Sequence, residues 1–267
     1  MTPDLQPVRL PAVAGTFYPA SPRKLDALIR GLLEDAATDA GAAPKALIVP
    51  HAGLVYSGPI AATAYATLRP FAGRITRIVL VGPAHRAYVD GLASPGAQAL
   101  RTPLGDIPVD LAALDTVPDV PVDAMAHAAE HSLEVQLPFL QEVLPDAKIV
   151  PFVVGNASSE DVGRVLEALW GGPETLIVVS SDLSHYLPYA EGHAVDRRTA
   201  ERIVALEANL DPEEACGCAG VNGLLWVARR KGLHGRVLDL RSSGDTAGPR
   251  SEVVGYGAFA FSEEDTP

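Results

Sequence analysis

Three of the seven histidines in this 267-residue chain stand just beyond short, almost purely apolar runs. Ala46-Leu-Ile-Val-Pro50 leads into His51, Ile78-Val-Leu-Val81 into Gly82-Pro-Ala-His85, and Leu176-Ile-Val-Val179 into Ser180-Ser-Asp182-Leu-Ser-His185. Imidazole is the commonest metal ligand and the side chain whose proton moves near neutral pH, so several delivered to one place would make a metal or acid–base site. Taken singly, each is as readily a structural histidine; their shared position is what points to chemistry. His51 and His85 with one carboxylate match the two-histidine, one-carboxylate set that leaves positions open for substrate and dioxygen on Fe(II), and Zn(II) or copper suits the same donors. Asp182 lies three residues before His185, close enough to orient that imidazole or to share its cleft, and the two read as the acid–base component. The structural alternative is that Ser180, Ser181 and Asp182 cap a following helix.

Further along, Glu130-His131-Ser132-Leu133-Glu134 opens a predicted helix, where His131 and Glu134 could share a face at i, i+3 spacing. A capping role for Ser132, with Glu134 in the favourable first turn, explains the same residues structurally. Tyr56, close behind His51, is a further cleft candidate. Ser181 is disfavoured as a hydrolase nucleophile because its frame, Val-Ser-Ser-Asp-Leu, is not Gly-x-Ser-x-Gly. His127, His193 and His234 have nothing specific around them and are expected on the solvated surface. Cys216 and Cys218, separated by one glycine, are too close for an unstrained disulfide and too few for a structural zinc site, so they read as small buried hydrophobes. No phosphate-binding glycine loop is present, which argues against nucleotide binding.

Apolar runs of this length imply strands buried on both faces, hence a mostly parallel sheet flanked by helices, with ligands beyond the carboxyl ends of the strands. The predicted class is α/β. The expected order is a helix after Ser21-Pro22, the strand ending at His51, a helix over about 59–68, and the strand ending at His85. A poorly patterned stretch to about 123 follows, with a short added strand over 91–95. A helix carrying Leu133, Leu137, Leu140, Val143 and Leu144 comes next, then a strand over 148–154, a helix over 159–169 and the strand ending at Asp182. Helices over 194–206 and 221–231 precede a strand over 236–241, the polar loop Ser242-Ser-Gly-Asp245-Thr-Ala-Gly-Pro249, and a last strand near 253–261. Asp245 thus joins the histidines at the same predicted edge. With no repeat or linker-like run, residues 1–267 are expected to form one domain. Lys and Arg number 21 against 33 Asp and Glu, a net charge of −12, so nucleic acid is an unfavourable partner. A basic, apolar leader is missing from the first residues and no stretch suits a bilayer, so a soluble cytoplasmic protein with no membrane partner is expected.

Six motifs in order carry a resemblance over about residues 8–262. They are Val13-Ala-Gly-Thr-Phe-Tyr-Pro19, Val49-Pro-His-Ala-Gly53 with Tyr56-Ser-Gly58, Gly82-Pro-Ala-His85, Glu130-His-Ser-Leu-Glu134 with Gln136-Leu-Pro138, Ser180-Ser-Asp-Leu-Ser-His185, and Ser242-Ser-Gly-Asp245 with Val254-Gly-Tyr256. Together they resemble the MEMO family, whose prokaryotic members are often called the B component of the AmmeMemoRadiSam system. The resemblance implies a functional link to AMMECR-like and radical SAM proteins, and kinship with LigB-like class III extradiol dioxygenases. It places His51 and His85 at the family's metal-binding histidines and His185 at the dioxygenase acid–base histidine. For the third ligand, animal members carry a cysteine in the loop that here places Thr246 at that position, and the dioxygenases use a glutamate. Asp245 is the chemically competent neighbour. Cys216-Gly217 resembles a family Cys-Gly before a helix.

The expected site is therefore a divalent metal, Fe(II) first with Zn(II) or copper as alternatives, on His51, His85 and Asp245, with His185 and Asp182 catalytic. Three functions compete for it. One is a non-haem iron oxidoreductase acting on an aromatic small molecule, another a peptide- or protein-binding module using the same cleft, and the third a metal-assisted hydrolase.

Overall fold

Runs such as Leu176–Val179 have no polar side chain to turn toward water, so they are stable only when covered on both faces. The computed structural model of the protein describes residues 7–37 and 41–263. In chain order it contains α1 (Pro22–Asp35), β1 (Ala46–Val49), α2 (Leu54–Ala66), β2 (Arg77–Pro83), β3 (Leu92–Ala93), β4 (Ala99–Thr102), β5 (Gly105–Pro108), α3 (Leu111–Leu114) and α4 (Ala124–Ala128). There follow α5 (Leu137–Val143), β6 (Lys148–Val154), α6 (Ser159–Ala168), β7 (Thr175–Ser180), β8 (His185–Leu187), α7 (Tyr189–Val204), α8 (Cys218–Lys231), β9 (His234–Ser242) and β10 (Val253–Ser262). Short 3-10 turns cover Arg69–Phe71, Glu134–Gln136 and Ser243–Asp245. The absence of a leader was read from residues that lie mostly outside the described ones.

One eight-stranded mixed sheet runs β3-β6-β2-β7-β1-β10-β8, with β9 added beside β10. Its centre, β6-β2-β7-β1, is parallel, as in Val49 beside Ser180 and Val81 beside Val179. Alternate residues feed two cores. Leu47, Val49, Leu80 and Val178 pack with α1, α2 and α5, whereas Ile48, Val79, Val81, Ile177 and Val179 pack with α6, α7 and α8. In α1 the 3.6-residue period puts Leu25, Ile29 and Leu33 on one fully buried face. Burying each stabilises the fold by roughly 1.5–3 kcal/mol.

The antiparallel strand β10 starts where the parallel strands end, because Phe259 pairs with Ile48 and Val254 with His185. The carboxyl edge of the parallel strands, the start of β10, β8 and the end of β9 therefore share one side of the molecule. Several local expectations change. Helix α2 begins at Leu54 with Pro59 inside it, and α7 and α8 begin at Tyr189 and Cys218. Ser21 precedes Pro22 at the start of α1 but makes no side-chain cap, whereas Ser158 and Asp161 form a reciprocal capping box on α6. The hairpin β4–β5 falls in the stretch read only as short extended pieces and turns, and the strand β8 has no counterpart in the sequence reading. Among the described residues no helix is long and apolar enough to cross a membrane.

Candidate metal centre

His51 lies two residues beyond β1, His85 two beyond β2 and Asp182 two beyond β7. The imidazoles of His51 and His85 meet edge to face with centroids 5.2 Å apart, and His131 stacks on His85 at 4.7 Å. A thiol completes the cluster. Cys216 Sγ stands 3.4 Å from His51 Nε2, and one donor atom from each of His51, His85 and Cys216 lies within 4.8 Å of the others. Such mutual separations suit donors around one ion at metal–nitrogen and metal–sulfur distances of ~2.0–2.3 Å. The three residues open on a cavity of about 730 Å³ that His131, Asp182, His185 and Tyr186 also line. An adjoining cavity of about 360 Å³ shares those four residues and is walled by Phe17, Tyr56 and Tyr256.

The chemistry of the donors fits a cation. His51 Nδ1 is 2.8 Å from Ser180 Oγ, and its backbone N–H donates to Asp182 Oδ1 at 2.8 Å. His85 donates its backbone N–H to Glu130 Oε2 at 2.5 Å and its ring Nδ1–H to Oε1 at 3.0 Å. Each ring thus has its Nδ1 held from behind and its Nε2 left as a ligand, the carboxylate–histidine arrangement that orients metal-binding imidazoles. Burial, reinforced by His85, pushes His51 down to about 3, so the ring is neutral as a ligand must be. Burial raises the Glu130 carboxyl, but hydrogen bonds from His85, His131 and Ser132 outweigh it and hold it well below the usual range. Burial and the nearby Asp182 push the Cys216 thiol up to about 12, and a bound cation would displace its proton.

Gly217 brings this thiol in. A Cβ there would fall 2.6 Å from Ser180 O and 2.8 Å from Ser181 Cβ, so only glycine allows the chain before α8 to touch the end of β7. Cys216 N–H donates to Asp182 O, Gly217 N–H donates to Ser181 Oγ, and Asp182 N–H donates to Cys216 Sγ at 3.3 Å. Ser180, Ser181 and Asp182 therefore tie strand ends and loop together and cap no helix. A family model for Memo-like proteins matches residues 9–260. The chain belongs to the Memo-like family. A MEMO1 family protein of Archaeoglobus fulgidus is 35% identical to it across 95% of this chain and 99% of the relative. Family proteins of Aquifex aeolicus and Ignicoccus hospitalis are 35% and 36% identical, covering 95% of this chain and 99% and 98% of their own lengths.

Within this Memo-like cleft the predicted residues fare differently. His51, His85, His131, Asp182 and His185 share the larger cavity, and Tyr56, 39% exposed, walls the smaller one. Asp182 is buried at the cavity wall, and burial raises its carboxyl despite the His51 N–H bond. His131 Nδ1 lies 3.3 Å from Glu130 Oε1 but makes no hydrogen bond, and burial pushes this ring down to about 4. His185 sits on β8 beside Tyr186, whose backbone is left-handed at φ 57° and whose side chain projects over the cleft, 72% exposed.

Asp245 is not brought to His51 and His85, and it lines neither cavity. Its carboxylate accepts from Tyr189 OH at 2.5 Å, His193 Nε2 at 3.0 Å, and the N–H and Oγ of Ser242 at 2.9 Å each. Those bonds outweigh partial burial and pull it down to about 2. The third potential donor beside the two imidazoles is the thiol of Cys216. Glu134 also leaves the expected cleft. It is buried in an ion pair with Arg9 and accepts from Ala12 N–H, Val13 N–H and Tyr18 OH, so it anchors the N-terminal arm. Of the three histidines expected at the surface only His234 is exposed. His127 is buried with Nε2–H donating to Ala93 O at 2.9 Å, and His193 is half-buried against Asp245. Ser132 Oγ donates to Pro83 O and caps nothing. Sequence reasoning missed Cys216 and Glu130; the Cys-Gly ahead of a helix was the signal for the first, and the second had none beyond its place next to His131.

Proposed function

We propose that the protein is a metal-dependent oxidoreductase that holds one redox-active divalent ion, iron before copper, on His51, His85 and Cys216 and acts on a small phenolic molecule in the adjoining cleft. The observation that carries this reading is the open three-donor set beside a cavity containing further titratable groups. Structural zinc sites are closed by four protein ligands, whereas catalytic sites keep a position free. Iron bound there would exchange electrons with substrate and dioxygen. His185, at the junction of the two cavities, takes a proton from a substrate hydroxyl. Asp182 holds the His51 backbone and gives the cleft a buried carboxyl group. Phe17, Tyr56 and Tyr256 supply flat walls for a ring. A thiolate in place of the expected carboxylate makes the set softer, which extends its tolerance to Zn(II) and copper.

The test is metal analysis of protein purified without a histidine tag, then anaerobic Fe(II) reconstitution and oxygen uptake with a panel of phenols and catechols. One ion per chain and substrate-dependent uptake, both lost in Cys216→Ala, are the expected results. Stoichiometric metal with no turnover across the panel would favour a second reading, a peptide-binding cleft, for which the exposed rings of Tyr186 and Tyr56 at the cleft speak.

A further inference from the structure

We infer that Ser180 is a positioning residue that locks His51 in the tautomer with its proton on Nδ1, so that Nε2 is the only ring nitrogen open to a metal. The inference rests on the metal reading of the cleft but makes a separate claim. Ser180 Oγ has three polar neighbours: Ser132 O at 2.7 Å, Gln136 Nε2 at 2.8 Å and His51 Nδ1 at 2.8 Å. A hydroxyl has one proton and two lone pairs. The carbonyl of Ser132 can only accept, so the Ser180 proton goes to it; otherwise two oxygens would face each other at 2.7 Å with no hydrogen between them. Gln136 fills one lone pair. The remaining one can be met only by a protonated Nδ1.

The orientation of Gln136 is fixed in turn. Tyr65 OH donates to its Oε1 at 2.9 Å, and its amide protons go to Pro50 O at 2.9 Å and to Ser180 Oγ. A flipped amide would set its oxygen against Pro50 O. Tyr65, Ser132, Gln136 and Ser180 are all completely buried, so water cannot replace a missing partner. The chain of donors runs one way from the interior of the fold to the ligand. His85 is held by the ionised Glu130, a charged acceptor, whereas His51 is held by neutral groups whose direction is set by counting protons.

The experiment is nitrogen-15 NMR of histidine-labelled, metal-free protein, with Zn(II) alone as the metal probe in chelator competition. Wild type is expected to show His51 protonated on Nδ1 with a bare Nε2. Ser180→Ala should lose that single-tautomer signature and bind Zn(II) about 10- to 100-fold more weakly, while Ser180→Thr, which keeps the hydroxyl, restores both. Circular dichroism checks that each variant is folded. A wild-type spectrum with the proton on Nε2 overturns the inference without any variant, and so does a folded Ser180→Ala with wild-type tautomer and affinity. Failure of wild type to bind Zn(II) or Fe(II) would instead remove the metal reading, leaving the NMR result to decide the lock.

Discussion

Two polar clusters stand on the same side of the sheet and contain the same kinds of residue, yet only one of them is left with capacity to bind. Around His51 and His85, the groups behind the rings absorb Nδ1, through Ser180 in one case and Glu130 in the other, and Cys216 Sγ faces the same space. Around Asp245, the carboxylate receives Tyr189, His193 and Ser242, and Arg250 lies 3.7 Å away while stacking on the Tyr189 ring at 4.3 Å. That second cluster satisfies itself and joins the start of α7 to the turn after β9. A carboxylate and a histidine at a strand end are therefore not a site until their remaining lone pairs have been counted.

The sharpest way to break the comparison is to remove a donor from the first cluster. Cys216→Ala and His51→Ala should each lower Fe(II) or Zn(II) affinity at least about a thousandfold, roughly 4 kcal/mol, in chelator competition, with circular dichroism unchanged. Wild-type affinity in Cys216→Ala would return the third ligand to an unidentified group. Next in size is Glu130→Gln, expected to cost about 10- to 100-fold in affinity because His85 loses its charged partner. The same variant should melt at a lower temperature than wild type, since the carboxylate also receives the N–H groups of His85, His131 and Ser132.

His127 gives a pH test away from the ligands. Burial pushes it down to about 4 in the folded protein, whereas the unfolded chain takes up the proton near the ordinary imidazole value of 6.5. Between those values the unfolded state binds more protons, so stability falls as pH falls through that window. The expected contribution is about 1–2 kcal/mol lost between pH 7 and pH 5. Denaturant titrations of metal-free protein should show a shallower loss in His127→Gln, and an unchanged slope would place the acid sensitivity elsewhere. The smallest effect belongs to Asp245→Ala, whose metal affinity should stay within about threefold of wild type. A drop beyond about tenfold in the same titration would mean that the second cluster reaches the metal after all.

The strands were legible because β1, β2, β6 and β7 are buried on both faces and carry polar residues only at their ends. The histidine-bearing ends of β1, β2 and β7 followed from that. The hairpin β4–β5 was not, since Arg101 and Asp106 face each other across it and leave Leu100 and Ile107 as its buried signal. β8 is three residues long and held by pairing with β10, a partner nearly seventy residues on. Asp245 was misplaced because charge balance called for an anion and the loop supplied one; its bonds to Tyr189 and His193, more than fifty residues earlier, carry no local mark. Cys216 failed for the opposite reason. Its local sequence reads as a small hydrophobe, and only Gly217 records how closely the loop must pass β7. His127 looked solvated because the carbonyl it serves, that of Ala93, is thirty-four residues away.

Burial of the Cys216 thiol also sets how reactive its sulfur is. Sulfur attacks alkylating agents and peroxides as thiolate, and a thiol pushed up to about 12 has almost none at neutral pH. At this sulfur, reaction with peroxides would therefore be slow. Binding of a cation through this sulfur would release its proton, so loading would weaken as the medium becomes more acidic.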